Sequence, residues 1–525
     1  MLAHMAVAVA ERPAPGEVAA GPTPEAGPRW RDGRRLAPYA ALLAILGFAL
    51  WLRLHAYGGL VFGWGDDDYR YALAARNLAF GHGELTGGAD AYTLRVVFLA
   101  PVAAALSLFG LGDQQATLWP LLCSLGAVAA TFGLGRCLFG AWTGAMAALI
   151  VAALPLSVWW ATRLRPDEVQ PVFMVGAMWA FCAAQGRAGR GDAWRYAVAG
   201  GLLALGYFVR ESALLLLAVF AVMTWRGPRP RRRAALWTAL GVATPLLAMA
   251  GLLVATGHDP LLFARTSSGA ASQRGLWEGI TQSDTYAQDF VAGLADPDDL
   301  EFGFSALALA GIAIALWRRR RGHLVLLAYA GVVYLYYETL ATMAVYRNDR
   351  YLTVLAAPLA LLGAAALAEL RGRARLAAPA VLAGLVVIGV GNAATRQRAD
   401  LRERTVDEVA DARRALDRRR VGPVLATDYV WHAKLEWLRA PRGRRFDLPD
   451  FADPAFLTAA ERERRRIMPS PPNPRAYDAI LDVGGRRTEG EPANWPAVRR
   501  AAREAGAGWP AEVLIAGRAT LARRP

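Results

Sequence analysis

The chain has 525 residues, carries a formal net charge of +15 and is 55% hydrophobic, which is well above an ordinary soluble domain. Its arginines gather in short loops between apolar runs, as in proteins whose membrane helices are oriented by positive charge, and this argues against nucleic acid as a partner. Its three cysteines, Cys123, Cys137 and Cys182, lie in or beside apolar runs without metal-ligand spacing. The sequence therefore predicts a multi-pass membrane protein without a disulfide framework.

The apolar runs set the predicted order of elements along the chain. Residues 1–36 are rich in Pro, Gly and Ala and predict a disordered cytoplasmic tail. The first apolar run follows four arginines and predicts a signal anchor whose N-terminus lies in the cytoplasm. Runs long enough to cross a bilayer predict about eleven transmembrane helices, at 37–55, 116–135, 141–161, 168–186, 194–209, 211–225, 234–256, 302–317, 323–342, 351–369 and 376–392.

A further apolar segment, 96–111, decides on which side of the membrane every later loop lies. If it runs along the surface, the arginine-rich loops face the cytoplasm, and 56–115 and 257–301 form outer loops. If it crosses, those arginine-rich loops fall outside. A single long helix over 194–225 would return most of them to the cytoplasm but would leave Arg187, Arg190 and Arg195 outside. We therefore predict juxtamembrane helices in the first outer loop and a C-terminus outside the membrane.

Hydropathy falls after residue 392, so residues 393–525 predict a small extracytoplasmic α/β domain. Three short apolar segments, Val421–Thr427, Ala479–Val483 and Glu512–Ala516, predict buried strands. A charged segment, Pro496–Glu504, predicts a helix between them. The predicted architecture is thus an all-α polytopic membrane domain followed by a small α/β domain.

The first outer loop contains three consecutive carboxylates, Asp66, Asp67 and Asp68, before a predicted amphipathic helix that includes Tyr71. Because adjacent carboxylates repel each other, one of them could have a raised pKa or all could share a cation. An ordinary alternative is a solvated acidic turn at a helix N-terminus, where the helix dipole favours Asp.

A second acidic group, Asp167 and Glu168, lies at the predicted outer end of the third span. Taken alone, it indicates a charged interfacial turn. Two acidic groups on the same outer face favour a substrate site, because charges at membrane boundaries are retained where substrates bind.

Two basic motifs lie between apolar runs at the same predicted depth. Arg210 either pairs with its neighbour Glu211 in a tight turn or binds a phosphate, since its planar fork suits that anion. Adjacent helix residues point to different faces, so we expect Arg210 to be free to turn toward Asp67. Arg347 and Arg350 precede a later span and indicate either an interfacial anchor or a second phosphate ligand.

Glu338, within the preceding predicted span, is a further intramembrane carboxylate. It could simply pair with one of these arginines.

Several of these residues resemble the motifs of a known family. The pattern from Asp67 to Ala72 resembles the Asp-Glu…Tyr-Ala signature in the first outer loop of GT-C glycosyltransferases. The most similar branch is glycosyltransferase family 39 and its relatives, which include protein O-mannosyltransferases and the lipid A aminoarabinose transferase. Further similar motifs occur in the same order over roughly residues 37–392, at Leu108-Phe109-Gly110, Arg136–Gly140, Pro155, Arg163 and Arg350-Tyr351-Leu352 with Pro358.

The resemblance implies a GT-C-like domain over residues 37–392 with an extracytoplasmic site beneath a juxtamembrane helix. In this alignment of motifs Asp67 matches the catalytic aspartate, Asp68 replaces the usual Glu, and Asp167 matches a second acidic position. Arg210 stands where relatives often have a lysine that binds carrier phosphate. The expected catalytic residues are therefore Asp67, Asp68 and Asp167, the expected phosphate ligands Arg210, Arg347 and Arg350, and the expected supporting residues Asp66, Tyr71, Glu168, Glu211 and Glu338.

The sequence is compatible both with a divalent metal cofactor and with none. Asp66 and Asp68 form a DxD-like pair, and some GT-C enzymes use such carboxylates to hold Mg²⁺ or Mn²⁺, whereas others in this branch need no metal.

The resemblance predicts transfer of a sugar from a polyprenyl-phosphate donor to a glycan, lipid or protein hydroxyl of the cell envelope, with inversion. The site would lie on the periplasmic side of a bacterial inner membrane. An alternative is a transporter or flippase of a lipid-linked or anionic substrate, against which stand the absence of an inverted repeat and the scarcity of charges at mid-span. A third is an inactive scaffold whose C-terminal domain binds a partner.

Overall fold

The structure of the protein is a computed structural model. Within the chain it describes residues 33–57, 59–60, 67–82, 94–186, 193–226, 231–264, 302–337, 349–370, 374, 376–399, 401–439, 477–483, 495–515 and 519–523. Most of the predicted tail, parts of both predicted outer loops, and the segment 338–348 lie outside these residues.

The membrane region consists of helices, and one of them lies at each of the eleven predicted spans. The helices before residue 200 are α1 (Gly33–His55), α2 (Asp67–Ala79), α3 (Val96–Phe109), α4 (Asp113–Leu138), α5 (Ala141–Ala153), α6 (Pro155–Trp160), α7 (Pro166–Gln185) and α8 (Ala193–Tyr207). A 3₁₀ turn (Glu211–Leu215) leads into α9 (Leu216–Arg226), and then follow α10 (Arg231–Ala255), α11 (Phe302–Arg318), α12 (Arg321–Tyr336), a 3₁₀ turn (Asp349–Leu352), α13 (Thr353–Ala368) and α14 (Ala377–Ala399).

Five of the described helical segments are long and apolar enough to cross a membrane by length and composition, at Leu36–His55, Asp113–Leu138, Arg231–Ala255, Arg350–Ala368 and Ala377–Thr395. Shorter apolar helices accompany them at Val96–Phe109, Ala141–Ala153, Glu211–Trp225 and Phe302–Arg318. The protein is thus a multi-pass membrane protein, and the number of eleven spans stays a prediction.

Burial distinguishes central from peripheral helices in this bundle. The segment that contains α13 is 94% buried, whereas those of α1 and α14 are only 22% and 17% buried although they are equally apolar. Exposed apolar side chains on such helices suit lipid contact, so α13 lies in the centre of the bundle and α1 and α14 at its edge.

Small residues allow the central helices to approach closely. Gly144 of α5 faces α4, where an added Cβ would lie 2.5 Å from the carbonyl oxygen of Phe132 and 2.9 Å from the amide nitrogen of Arg136. Close backbone approach through small residues is how membrane helices gain packing contacts, because lipid gives little hydrophobic driving force between them.

The predicted span 141–161 is interrupted between α5 and α6. Leu154 has an extended backbone, and Pro155 opens α6 at its first helical position. A proline has no amide hydrogen and its ring clashes with the preceding turn, so the first helix ends before it.

Helix α3 occupies most of the segment whose sidedness was in question. It has 14 residues, and at about 1.5 Å per residue it is about 21 Å long, shorter than a hydrocarbon core of about 30 Å. Its inner face, which includes Phe98, Val102 and Leu106, is buried, and α3 packs on α2 and α4. This length is consistent with a juxtamembrane helix.

The C-terminal region contains α15 (Leu401–Arg418), α16 (Tyr429–Arg439) and α17 (Trp495–Gly506), together with a sheet of β1 (Val424–Ala426), β2 (Ala479–Asp482), β3 (Ala511–Ile515) and β4 (Ala519–Arg523). The strand order is β1-β2-β4-β3, with β1 and β2 parallel and the remaining neighbours antiparallel.

Three of these strands coincide with the segments predicted from apolar runs. The sequence did not predict β4, whose residues alternate weakly between apolar and polar and end in arginine. It lies between β2 and β3, so it pairs both with a strand distant in sequence and with its sequence neighbour, and this pairing rather than its own composition decides its place.

Candidate functional site

The site is built around the N-terminus of α7. Arg165 has an extended backbone, Pro166 occupies the first helical position, and Asp167 and Glu168 fall in the first turn. Proline is preorganised for this position, and the positive end of the helix dipole favours the two carboxylates there. Both acidic side chains are nevertheless almost completely buried, so their charge must be balanced by protein groups.

Two arginines from distant segments balance Asp167. Arg210, from the turn after α8, forms an ion pair with the Oδ1 oxygen of Asp167. The Nε atom of Arg350, from the turn before α13, lies 3.5 Å from Oδ2 of the same carboxylate. We call these three residues the Asp167 cluster. It has one more positive than negative charge, which suits an anionic ligand.

Aromatic rings adjoin the two arginines of this cluster. The Cζ atom of Arg210 lies 4.1 Å from the ring centre of Tyr351, and that of Arg350 lies 5.4 Å from the same ring. Tyr337 stacks on Tyr351 with ring centres 5.4 Å apart. Guanidinium groups are attracted to aromatic faces, and this attraction grows where water is excluded. The rings therefore fix the direction in which the two guanidinium groups point.

Hydrogen bonds tie the same segments together. The side-chain amide of Gln170 donates to Ser212 Oγ at 2.7 Å, and this hydroxyl lies 2.8 Å from Tyr337 Oη. Thr353 Oγ1 donates to the backbone carbonyl of Asp167 at 3.0 Å. Since Gln170, Ser212 and Thr353 come from three different elements, these bonds hold α7, the turn after α8 and the start of α13 in one arrangement.

The acidic group of the first outer loop is described in part. Asp68 is completely buried and pairs with Arg165, the residue that precedes α7. Asp67 is the first residue of α2, with its backbone in the structure and its side chain outside the described part. Asp66 lies outside the described residues. The Asp68–Arg165 pair joins the start of α2 to the start of α7, and so brings the two predicted acidic groups to one end of the bundle.

Tyr71 and Glu211, two of the predicted supporting residues, meet through Arg95. A guanidinium nitrogen of Arg95 donates to Tyr71 Oη, and another lies 4.0 Å from Glu211 Oε1. Glu211 therefore reaches Arg95, and its neighbour Arg210 pairs with Asp167. The sequence predicts that Arg210 is free to turn toward Asp67; in the structure its guanidinium group contacts Asp167, and the side chain of Asp67 lies outside the described part.

Glu168, the remaining described supporting residue, belongs to a buried network that sequence reasoning missed. Ser157 Oγ donates to Glu168 Oε1 at 2.9 Å, and Arg53 donates to Ser157 Oγ at 3.1 Å and to Ser124 Oγ at 2.8 Å. Arg53 is completely buried in α1. An arginine within an apolar run marks such a network in the sequence, because intramembrane charges are rare without partners.

Two predicted site residues, Arg347 and Glu338, lie outside the described residues. Of the two residues considered for a metal, Asp68 pairs with Arg165, and Asp66 lies outside the described residues. Within the part of the chain that the structure describes, no three His, Cys, Asp or Glu side chains form a group that could hold a metal ion.

Comparison with protein families gives one match. Residues 96–254, which include α3, the start of α7 and Arg210, match the family model of dolichyl-phosphate-mannose-protein mannosyltransferases. A comparison with curated proteins yields no match.

Comparison with solved structures gives proteins of similar fold. ArnT from Cupriavidus metallidurans in the apo state has a TM-score of 0.57 at 15% identity, with 93% of this chain and 97% of that chain covered. The same protein bound to undecaprenyl phosphate gives 0.55 at 16% identity, with 94% and 98% covered. The archaeal oligosaccharyltransferase AglB from Archaeoglobus fulgidus, in complex with an inhibitory peptide and a dolichol-phosphate, gives 0.50 at 12% identity, with 86% and 69% covered.

Proposed function

We propose that this chain, a GT-C superfamily glycosyltransferase of the branch of protein mannosyltransferases and ArnT, moves a sugar from a polyprenyl-phosphate carrier to a hydroxyl of an extracytoplasmic acceptor. The acceptor would be a glycan, a lipid or a protein of the cell envelope. The family match and the shared fold support the reaction class, and the following contacts support its assignment to particular residues.

The observation that carries the assignment is the Asp167 cluster. Arg210 and Arg350 point at one carboxylate from two different elements, and all three side chains are largely shielded from water. Charge-assisted hydrogen bonds are strong in such surroundings, and arginine forks suit phosphate as well as carboxylate. A carrier phosphate would therefore compete with Asp167 for both guanidinium groups.

In the proposed reaction the acceptor hydroxyl oxygen attacks the anomeric carbon of the donor sugar. The bond from that carbon to the carrier phosphate breaks, and its electron pair leaves with the phosphate. The hydroxyl proton passes to a carboxylate, for which we assign Asp67 at the first turn of α2. Arg210 and Arg350 stabilise the negative charge that develops on the departing phosphate. This single displacement inverts the anomeric configuration and requires no covalent enzyme intermediate.

The two ends of α13 support an extracytoplasmic site. Arg350 lies in the turn before this helix, whereas Glu369 immediately follows it. At that far end Arg318 and Arg320 pair with Glu369 at 3.3 and 2.8 Å. Arginine-rich loops favour the cytoplasm, so we place the Asp167 cluster on the periplasmic side of a bacterial inner membrane, with the N-terminus inside and residues 393–525 outside.

Turnover of a lipid-linked sugar tests this function. The purified protein in proteoliposomes would be incubated with undecaprenyl-phosphate sugars radiolabelled in the sugar, beginning with mannose, and with envelope extract as acceptor. We expect label to leave the polyprenyl-phosphate donor and sugar-free polyprenyl phosphate to be released, and we expect neither with the Asp67→Asn variant. Movement of intact donor across the bilayer would instead indicate a transporter. Neither cleavage nor movement, in a protein that binds undecaprenyl phosphate, would contradict the enzyme.

A further inference from the structure

The only lysine in the chain, Lys434, is buried where the C-terminal region meets the membrane domain. Its Nζ atom lies 2.5 Å from Oδ2 of Asp113, in the first turn of α4, and donates to the carbonyl oxygen of Leu60 at 3.1 Å. Leu60 belongs to the connection that leads from α1 to α2. One ammonium group of α16 therefore contacts both the start of α4 and the chain just before α2.

A second set of contacts joins α16 directly to α2. Arg76 of α2 is almost completely buried and donates to the backbone carbonyl of Trp437 at 2.7 Å. The indole nitrogen of Trp437 lies 3.4 Å from the carbonyl oxygen of Ala72. Trp437 itself is completely buried, and its ring belongs to the same apolar cluster as Tyr71, Ala72 and Phe98.

Helix α2 needs such neighbours to keep its position. It has only 13 residues, and isolated helices of that length are marginal in water. Packing on α3 supports one side of it, through contacts such as the edge-to-face pair of Tyr71 and Phe98 at 4.9 Å. Further support comes from α16, whose contacting residue lies more than 350 positions further along the chain.

We propose that α16 is part of the active-site scaffold, and that Lys434 and Trp437 are positioning residues that hold α2, and with it Asp67, in the geometry for proton transfer. This inference rests on the proposed function. It gives the C-terminal region a role in the reaction step rather than in binding of the carrier, because Arg210 and Arg350 belong to other elements.

The role of Lys434 can be tested by measuring turnover and carrier binding separately in Lys434 variants. Misplacing a reacting group by about 1 Å can cost about a hundredfold in rate, so we expect Lys434→Met to lower turnover of undecaprenyl-phosphate sugar at least about tenfold. We expect the affinity for undecaprenyl phosphate to change by less than about twofold, because the contacts of the Asp167 cluster are unaltered. Lys434→Arg should recover part of the turnover.

The matched control is Arg503→Ala. Arg503 pairs with Asp482 on the C-terminal sheet at 3.0 Å, with both side chains about half exposed, so its loss should leave turnover and binding unchanged. Unchanged turnover in Lys434→Met, or loss of turnover and binding in equal proportion, would overturn the proposal.

The reactivity of Lys434 tests the contact without any need for activity. Acetylation by an amine-reactive ester can be followed at this single lysine by peptide mass spectrometry in the full-length protein. We expect slow modification in the folded parent and at least about tenfold faster modification in Trp437→Ala and Asp113→Asn. Modification of the folded parent as fast as in detergent-unfolded chains would overturn the proposal. Slow modification together with absent turnover would leave the contact intact and contradict only the proposed function.

Discussion

The Nε atom of Arg350 lies 3.5 Å from the carboxylate of Asp167, which also pairs with Arg210. The three residues come from the start of α13, the start of α7 and the turn after α8, so the ion pairs converge from three separate parts of the chain. If Arg210 and Arg350 bind the carrier phosphate, as proposed, the phosphate competes with this shared carboxylate for both guanidinium groups.

Arg210→Ala should weaken binding of undecaprenyl phosphate. Loss of a charge-assisted hydrogen bond costs about 1.5–3 kcal/mol, which corresponds to roughly ten- to hundredfold in affinity. Arg210→Lys should retain part of the affinity, because it keeps the charge and loses the planar fork. Titration of the purified variants with undecaprenyl phosphate measures the effect. Arg320→Ala, at the other end of the bundle, is the control, and equal affinity in all variants would show that Arg210 is an interfacial anchor.

Asp167→Asn should bind undecaprenyl phosphate more tightly than the parent protein. The substitution removes the carboxylate that competes with phosphate for Arg210 and Arg350, while the volume of the side chain is kept. Turnover should fall if Asp167 takes part in the reaction, so affinity and rate should change in opposite directions. Weaker binding in this variant would show that the carboxylate helps to hold the carrier.

The two neighbouring aspartates should respond differently to substitution. Asp67→Asn should abolish transfer, since it removes the carboxylate assigned as proton acceptor, and should lower the melting temperature less than Asp68→Asn does. Asp68→Asn should lower the melting temperature, because Asp68 is buried and paired with Arg165, and breaking a buried pair costs about 3–5 kcal/mol. Thermal unfolding and donor cleavage would be measured on both variants. Near-normal turnover of the Asp67 variant would indicate that Asp167, rather than Asp67, accepts the proton.

The sidedness of the site can be tested with a native cysteine. Cys137 is exposed near the end of α4, whereas Cys123 and Cys182 are buried, and Gln114 is exposed at the opposite end of α4. An impermeant thiol reagent should label Gln114→Cys in a Cys137→Ser background in spheroplasts. It should label Cys137 of the parent only in inverted vesicles. The reverse pattern would place the Asp167 cluster on the cytoplasmic side and contradict the proposed topology.

Packing between α4 and α5 should depend on the size of residue 144. Gly144→Ala would place a methyl group 2.5 Å from the carbonyl oxygen of Phe132, and overpacking of this kind costs about 1–3 kcal/mol. The melting temperature in detergent should fall. Gly331→Ala on α12 is the matched control, because an added Cβ there has no atom within 4 Å among the described residues.

Helical spans and charge asymmetry follow from local composition, so the sequence predicts where the membrane helices lie. The predicted strands β1, β2 and β3 are likewise short apolar runs. Prediction fails for β4, because its own residues have only a weak apolar pattern and its place in the sheet comes from pairing with β2 and β3. It also fails for the break at Pro155 within a run that is apolar throughout.

The candidate site, too, could be predicted from the sequence only in part. Asp68, Asp167, Arg210 and Arg350 could be selected from the sequence because ionisable groups between apolar runs are costly without a function or a partner. Which of these residues pair with one another could not be predicted, because Arg210 lies 43 positions from Asp167 and helix packing decides which groups meet. Arg53 and Tyr337 were missed because neither stands in a charged motif, although both are buried in polar networks.

A structure of the protein with undecaprenyl phosphate bound would test whether Arg210 and Arg350 hold the carrier phosphate. We expect phosphate oxygens within hydrogen-bond distance of both guanidinium groups, and we expect the Asp167 carboxylate to have moved away from at least one of them. A phosphate bound elsewhere, with both ion pairs of Asp167 intact, would contradict this assignment.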